Sequence, residues 1–154
     1  MKKIILLLIA ILFAVTAFGA DVFMGEEQPE FLTVISAPAG TFDGESLTLE
    51  GVSTAVYFSD RPERIAGHMA VSDFVALWDE GDDSFSSDPP NATLSILGGE
   101  GMDDIVMILT NAAVMADSVT FIVDVLEGES PAEFGAVSLF IDAFPTSVNS
   151  QITD

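Results

Sequence analysis

The chain has 154 residues, with four Lys and Arg against 25 Asp and Glu, a formal net charge of −21, and no cysteine. Such acidity argues against nucleic acid and anionic membrane surfaces as direct partners. Without cysteine no disulfide can staple the fold, so stability must come from a core, and 12 Phe among abundant Val, Ile and Leu supply one.

Residues 1–20 have two lysines, an uninterrupted apolar run over 4–15, and small residues at Ala17, Gly19 and Ala20. That layout predicts a secretory signal peptide, cleaved after Gly19 or Ala20, because the run is shorter than the roughly 20 residues of a spanning helix. The expectation is a periplasmic or extracellular protein of bacterial type, with no membrane partner once the signal is gone. Cleavage would leave Arg61 and Arg64 facing all 25 carboxylates, a net −23. Self-repulsion of that size is relieved by salt, which suits a saline habitat and an ordinary acidic secreted protein equally.

Residues 21–30, acidic and broken by Gly25 and Pro29, predict a flexible leader. A single domain over 31–145 follows. Residues 31–36 (FLTVIS) predict a buried strand that ends in a turn over 37–44. Residues 46–52 alternate, with Leu47 and Leu49 on one face, and 54–58 form a third strand that delivers the chain to Asp60 and Arg61. A short helix is expected after His68, capped by Ser72, presenting Phe74, Val75, Leu77 and Trp78, and closed by Gly81. The segment 80–92 is acidic and carries Pro89 and Pro90, which reads as a loop. Strands are predicted over 93–97 and 105–109, while 111–116 is either a helical turn or a loop. Residues 119–126 alternate cleanly, a turn spans 128–135, and 137–143 returns as a strand stopped by Pro145. Residues 146–154 are polar and expected to fray. Together these elements predict an all-β, mainly antiparallel fold, a β-sandwich of about seven to eight strands with one short helix. An open barrel is the alternative.

The segments FSDRPERIAGH (58–68), FVALW (74–78), DPPNATLS (88–95) and VSLFID (137–142) resemble a group of small exported bacterial proteins of uncharacterised function. The resemblance spans most of the domain and implies secretion. It implies no activity, cofactor or ligand.

All the cations after Lys3, and the one histidine, fall within 61–68. Two readings of that cluster are open. In the first, Arg61 or Arg64 is held by Asp88 or Asp60 as a structural clamp between two proline-stiffened segments. In the second, His68 with Asp60 does general acid or base work while an arginine fixes an anionic substrate, as in a small hydrolase. The first is favoured, since no nucleophile motif accompanies the cluster. Asp82, Asp83 and Asp88, with Ser84 and Ser86, offer oxygen ligands for weak calcium binding, but without EF-hand order. One histidine and no cysteine disfavour structural zinc. The expected function is therefore binding or surface display rather than catalysis, toward an unspecified protein or small molecule.

Overall fold

The computed structural model describes residues 30–82, 84–98 and 103–142. The expected signal peptide, nearly all of the leader, the tail and Asp83 lie outside these residues. Ten strands form one antiparallel sheet: β1 (Phe31–Ala37), β2 (Ala39–Phe42), β3 (Ser46–Glu50), β4 (Thr54–Ser59), β5 (Ala66–Ala70), β6 (Asn91–Ile96), β7 (Asp103–Met115), β8 (Ser118–Glu127), β9 (Glu133–Phe134) and β10 (Val137–Asp142). Their order is β5-β4-β1-β10-β6-β7-β8-β3-β2-β9, with two free edges, so the sheet is not closed. Only Pro38 separates β1 from β2, yet they stand third and ninth in that order. The sheet must therefore fold over its own core, giving two layers, and Pro38, which has no N–H to donate, marks the crossing.

The long strand β7 belongs to both layers. Ile105, Met107 and Leu109 are buried on odd positions, whereas Ala112 packs on the core from an even one. The change of parity comes from a bulge between Leu109 and Asn111, where Thr110 is extra against β8 and donates its hydroxyl to the Ile122 carbonyl at 3.1 Å. A bulge adds one residue and bends the strand, which carries β7 from one layer into the other. The segment 111–116, open between helical turn and loop in the sequence, is thus strand as far as Met115.

The expected helix is α1 (Val71–Ala76), continued by a 3₁₀ turn over Leu77–Asp79. Ser72 does not cap it: the N-cap is Ala70 and no side chain caps the turn, because the helix starts directly from the last residue of β5. Val71, Phe74 and Trp78 are buried, and the Trp78 ring meets Phe85 at 4.9 Å and Phe121 of β8 at 5.9 Å. The helix therefore closes the gap between the β4–β5 side of one layer and β8 of the other. Trp78 is a core residue and offers no surface for stacking.

Ten strands stand where about seven to eight were expected, and three of them lie outside the segments predicted as strand. β2 and β9 fall inside predicted turns, and β5 begins at Ala66 in the FSDRPERIAGH motif and runs past its end to Ala70. The β2–β3 connection is a tight turn in which Asp43 Oδ1 accepts from the backbone N–H of Glu45 at 3.0 Å and of Ser46 at 2.7 Å, with Gly44 at φ 105°. Those two backbone donors, Ser46 first and Glu45 second, hold the Asp43 carboxyl below its ordinary value of 3.8. A lowered folded value favours the folded state above 3.8, and the gain is lost as pH falls through the lowered range. Asp43→Asn keeps an accepting oxygen without the charge. Wild type is expected to be more stable than this variant at neutral pH, with the gap closing below 3.8. Urea unfolding of both proteins at the two pH values checks the sign; a gap that widens in acid would contradict it.

Candidate functional site: the outer face of the first layer and the β4–β5 tip

The chain leaves β4 at Ser59 and re-enters the sheet at Ala66, so Asp60, Arg61 and Arg64 sit on the hairpin tip. Backbone bonds shape this tip: Ser59 N–H donates to Ile65 O at 2.8 Å, and Arg64 N–H to Asp60 O at 3.1 Å. The Ser59 hydroxyl accepts from Ile65 N–H at 2.9 Å. The Arg61–Pro62 bond is cis, and Arg64 has φ 54°, in the left-handed region that non-glycine residues seldom enter. Asp60, Arg61, Arg64 and His68 are all exposed. Among the described residues no ion pair or side-chain hydrogen bond holds either guanidinium or the His68 imidazole.

Asp88 lies elsewhere on the same rim. Phe58 pairs with Leu32, Leu32 with Asp142 and Asp142 with Asn91, one row that crosses β4, β1, β10 and β6. The chain passes through Asp60 and Arg61 just after that row on β4, and through Asp88 just before it on β6. The arginine tip and Asp88 therefore share one end of the sheet, and β4, which leads into the tip, stands three strand spacings, about 14 Å, from β6, which follows Asp88. Asp88 is exposed, and its backbone N–H donates to Ser84 O at 2.9 Å.

Of the proposed calcium ligands, Asp83 lies outside the described residues. Asp82 and Asp88 are exposed, while Ser84 is buried with its hydroxyl 3.0 Å from those of Ser86 and Ser87. Among the described residues no group of three or more His, Asp or Glu side chains converges. Between these acids Phe85 turns inward and is 2 % exposed, so part of the acidic loop is core.

Sequence reasoning missed the outward face of β5, β4, β1, β10 and β6. Val56, Phe58 and Phe140 are 47, 41 and 37 % exposed, and Leu32 and Val34 beside them are half-buried. The pairing aligns His68, Val56, Val34, Phe140, Thr93 and Val106 in one row across six strands. The next row, toward the arginine tip, holds Ala66, Phe58 and Leu32 and then turns polar at the exposed Asp142 and Asn91. The outer face of the second layer is different: Thr41, Thr48 and Thr120 line up across β2, β3 and β8, with the last two hydroxyls 2.9 Å apart. One layer thus shows water a polar ladder and the other an apolar stripe. The signal was present in FLTVIS, AVYF and VSLF, which are apolar at both parities, as strands covered on both faces are.

No helix among the described residues is long and apolar enough to cross a membrane. No family model, curated protein or solved structure matches the chain, and the chemistry of this surface has to be argued from its own residues.

Proposed function

We propose that this chain is an exported, non-catalytic association domain that works through the apolar outer face of its first layer and the arginine-bearing tip beside it. The observation that carries the reading is the exposed row Val56–Val34–Phe140, continued by Phe58 and Leu32, on a chain whose surface is otherwise dominated by carboxylates. Contiguous exposed apolar patches on a folded protein mark interaction sites. The layout of the cations supports it: Arg61, Arg64 and His68 border the face and stand open to solvent, where guanidinium groups recognise carboxylates of a partner. Export is supported by the signal-like residues 1–20.

The test has two arms. Fractionation of producing cells with intact-mass analysis is expected to find the chain outside the cytoplasm, cut after Gly19 or Ala20. Chromogenic ester, phosphate and glycoside substrates are expected to show no turnover that depends on His68. Hydrolysis abolished in both His68→Ala and Arg64→Ala, with the fold intact, would replace this reading with the hydrolase.

A further inference from the structure

We infer that the occupant of the apolar face in the free protein is the chain's own leader, residues 21–29, which folds back from Glu30 past the arginine tip and lays Phe23 and Met24 against β4 and β1. The inference rests on the association reading for its surface and names what covers that surface until a partner takes it. Attachment is its first ground. Residues 21–29 lie outside the described residues, but the point from which they leave is fixed: Glu30 is exposed, its carbonyl accepts from Asp60 N–H at 3.2 Å, and Phe31 beside it pairs with Ser59. The leader therefore starts at the rim next to the arginine tip, on the strand that carries Leu32 and Val34 and beside the strand that carries Val56 and Phe58.

Charge sets the direction in which it turns. The leader holds Asp21, Glu26 and Glu27, departs from a further acid at Glu30, and has no cation. Toward β10 it would meet the exposed Asp142 and then, on β7, the exposed Asp104, with no basic residue on that side. Toward β4 and β5 it meets Arg61 and Arg64, which no described group pairs with, and then outward positions without an acid, among them Phe58, Val56 and His68. Asp60 and Glu63 share the tip and bring its formal charge to zero, so an acidic segment finds no net repulsion there and two open guanidinium groups that favour carboxylates. The tail after Asp142 starts from the same end of the sheet but carries its one acid, Asp154, at its far end, so it lacks this match.

Length and pattern agree with that path. Val34 lies four residues along β1 from Glu30, a height of about 13 Å. Met24 lies six residues before Glu30; with Gln28 and Pro29 taken up by the reversal, for which proline is preset, the four that remain cover about the same 13 Å. Met24 then stands level with Val34 and Val56, while Glu27 and Glu26 stay beside the tip, and Gly25 separates the acidic pair from the apolar Val22, Phe23 and Met24. A segment tethered this closely meets its own surface at an effective concentration of about millimolar, so a few contacts hold it and a partner of larger area displaces it.

The chain has no cysteine, so one engineered pair reports one contact. Val56 and Phe140 flank Val34 on β4 and β10, at the same height and one strand from β1 on either side, so an undirected tether reaches both alike. In the exported full chain, under mild oxidation, Met24→Cys is expected to form a disulfide with Val56→Cys at least about fivefold faster than with Phe140→Cys, within one molecule by intact mass. Glu26→Arg with Glu27→Arg is expected to abolish the preference, and adding Arg61→Glu with Arg64→Glu to restore it, with thermal unfolding unchanged throughout. Equal rates at the two positions, a preference that survives the leader substitutions, a swap that fails to restore it, or a link that joins two chains would each overturn the inference. So would a tail cysteine, Val148→Cys, that pairs with Val56→Cys faster than Met24→Cys does. Any of these removes the leader as occupant and leaves the association reading to its own fractionation and substrate arms.

Discussion

Phe85→Ala is expected to lower the unfolding free energy by about 3–5 kcal/mol, the cost of emptying a large buried aromatic site. The size is unusual for a position in an acidic loop. Phe85 is nonetheless 2 % exposed, with its ring centroid 4.9 Å from Trp78 and 5.9 Å from Phe74. The edge-to-face contact with Trp78 adds to the transfer free energy of the ring. The loop is tied down around it: Ser86 N–H donates to Trp78 O at 3.1 Å, and the Ser84 hydroxyl is occupied by its serine neighbours. Little slack is left for the site to collapse, which places the cost toward the upper half of that range. Urea unfolding followed by far-UV circular dichroism measures it, and the corresponding fall in Tm is on the order of 10–25 °C. A loss under about 1 kcal/mol, the scale of a surface change, would mean that Phe85 does not help to close the core.

A second large effect is expected at Gly40, where valine should cost at least about 1–3 kcal/mol through overpacking. A Cβ there would run into the Phe134 ring and lie 2.7 Å from the backbone oxygen of Thr48. The Phe134 contact is the closer, but the backbone oxygen is the less able to yield, since Thr48 is held between β2 and β8. The measurement is a pair of comparisons: Gly40→Val in the wild type and Gly40→Val in a Phe134→Ala background. Removing the ring is expected to relieve part of the cost and leave the part due to Thr48 O. Equal costs in the two backgrounds would show that the ring moves aside freely and that β9 is not seated on Gly40.

Some of this protein was readable before any folding. The alternation of 119–126 placed Val119, Phe121 and Val123 inward, although Val125 on the same parity is 39 % exposed, the run from Val137 became β10 as far as Asp142, and the helix after His68 formed where its apolar spacing predicted it. These features are local: a period of two or of 3.6 residues reports which side of the backbone meets the core, whatever the core consists of. The charge balance is equally local, since it is a count, and it excludes the same partners in any fold. Other features depended on segments distant in sequence. β2 and β9 are strands because Gly40 lets the Phe134 ring approach, a meeting of residues some ninety positions apart that looks like two turns when each is read alone. The continuation of β7 was hidden because the bulge at Thr110 reverses the parity of burial, so a true strand loses its period at the point where it changes layer. Phe85 lay among acids and prolines, and only packing against Trp78 and Phe74 shows it to be core. The arginine cluster was visible as a composition, but its neighbours were not: β1 and β10 lie between β4, which leads to Arg61, and β6, which follows Asp88, and the same two strands supply Val34 and Phe140 of the exposed apolar row. Which carboxylate an arginine can reach is a matter of strand order, and strand order arises from pairings that no local window of the chain contains.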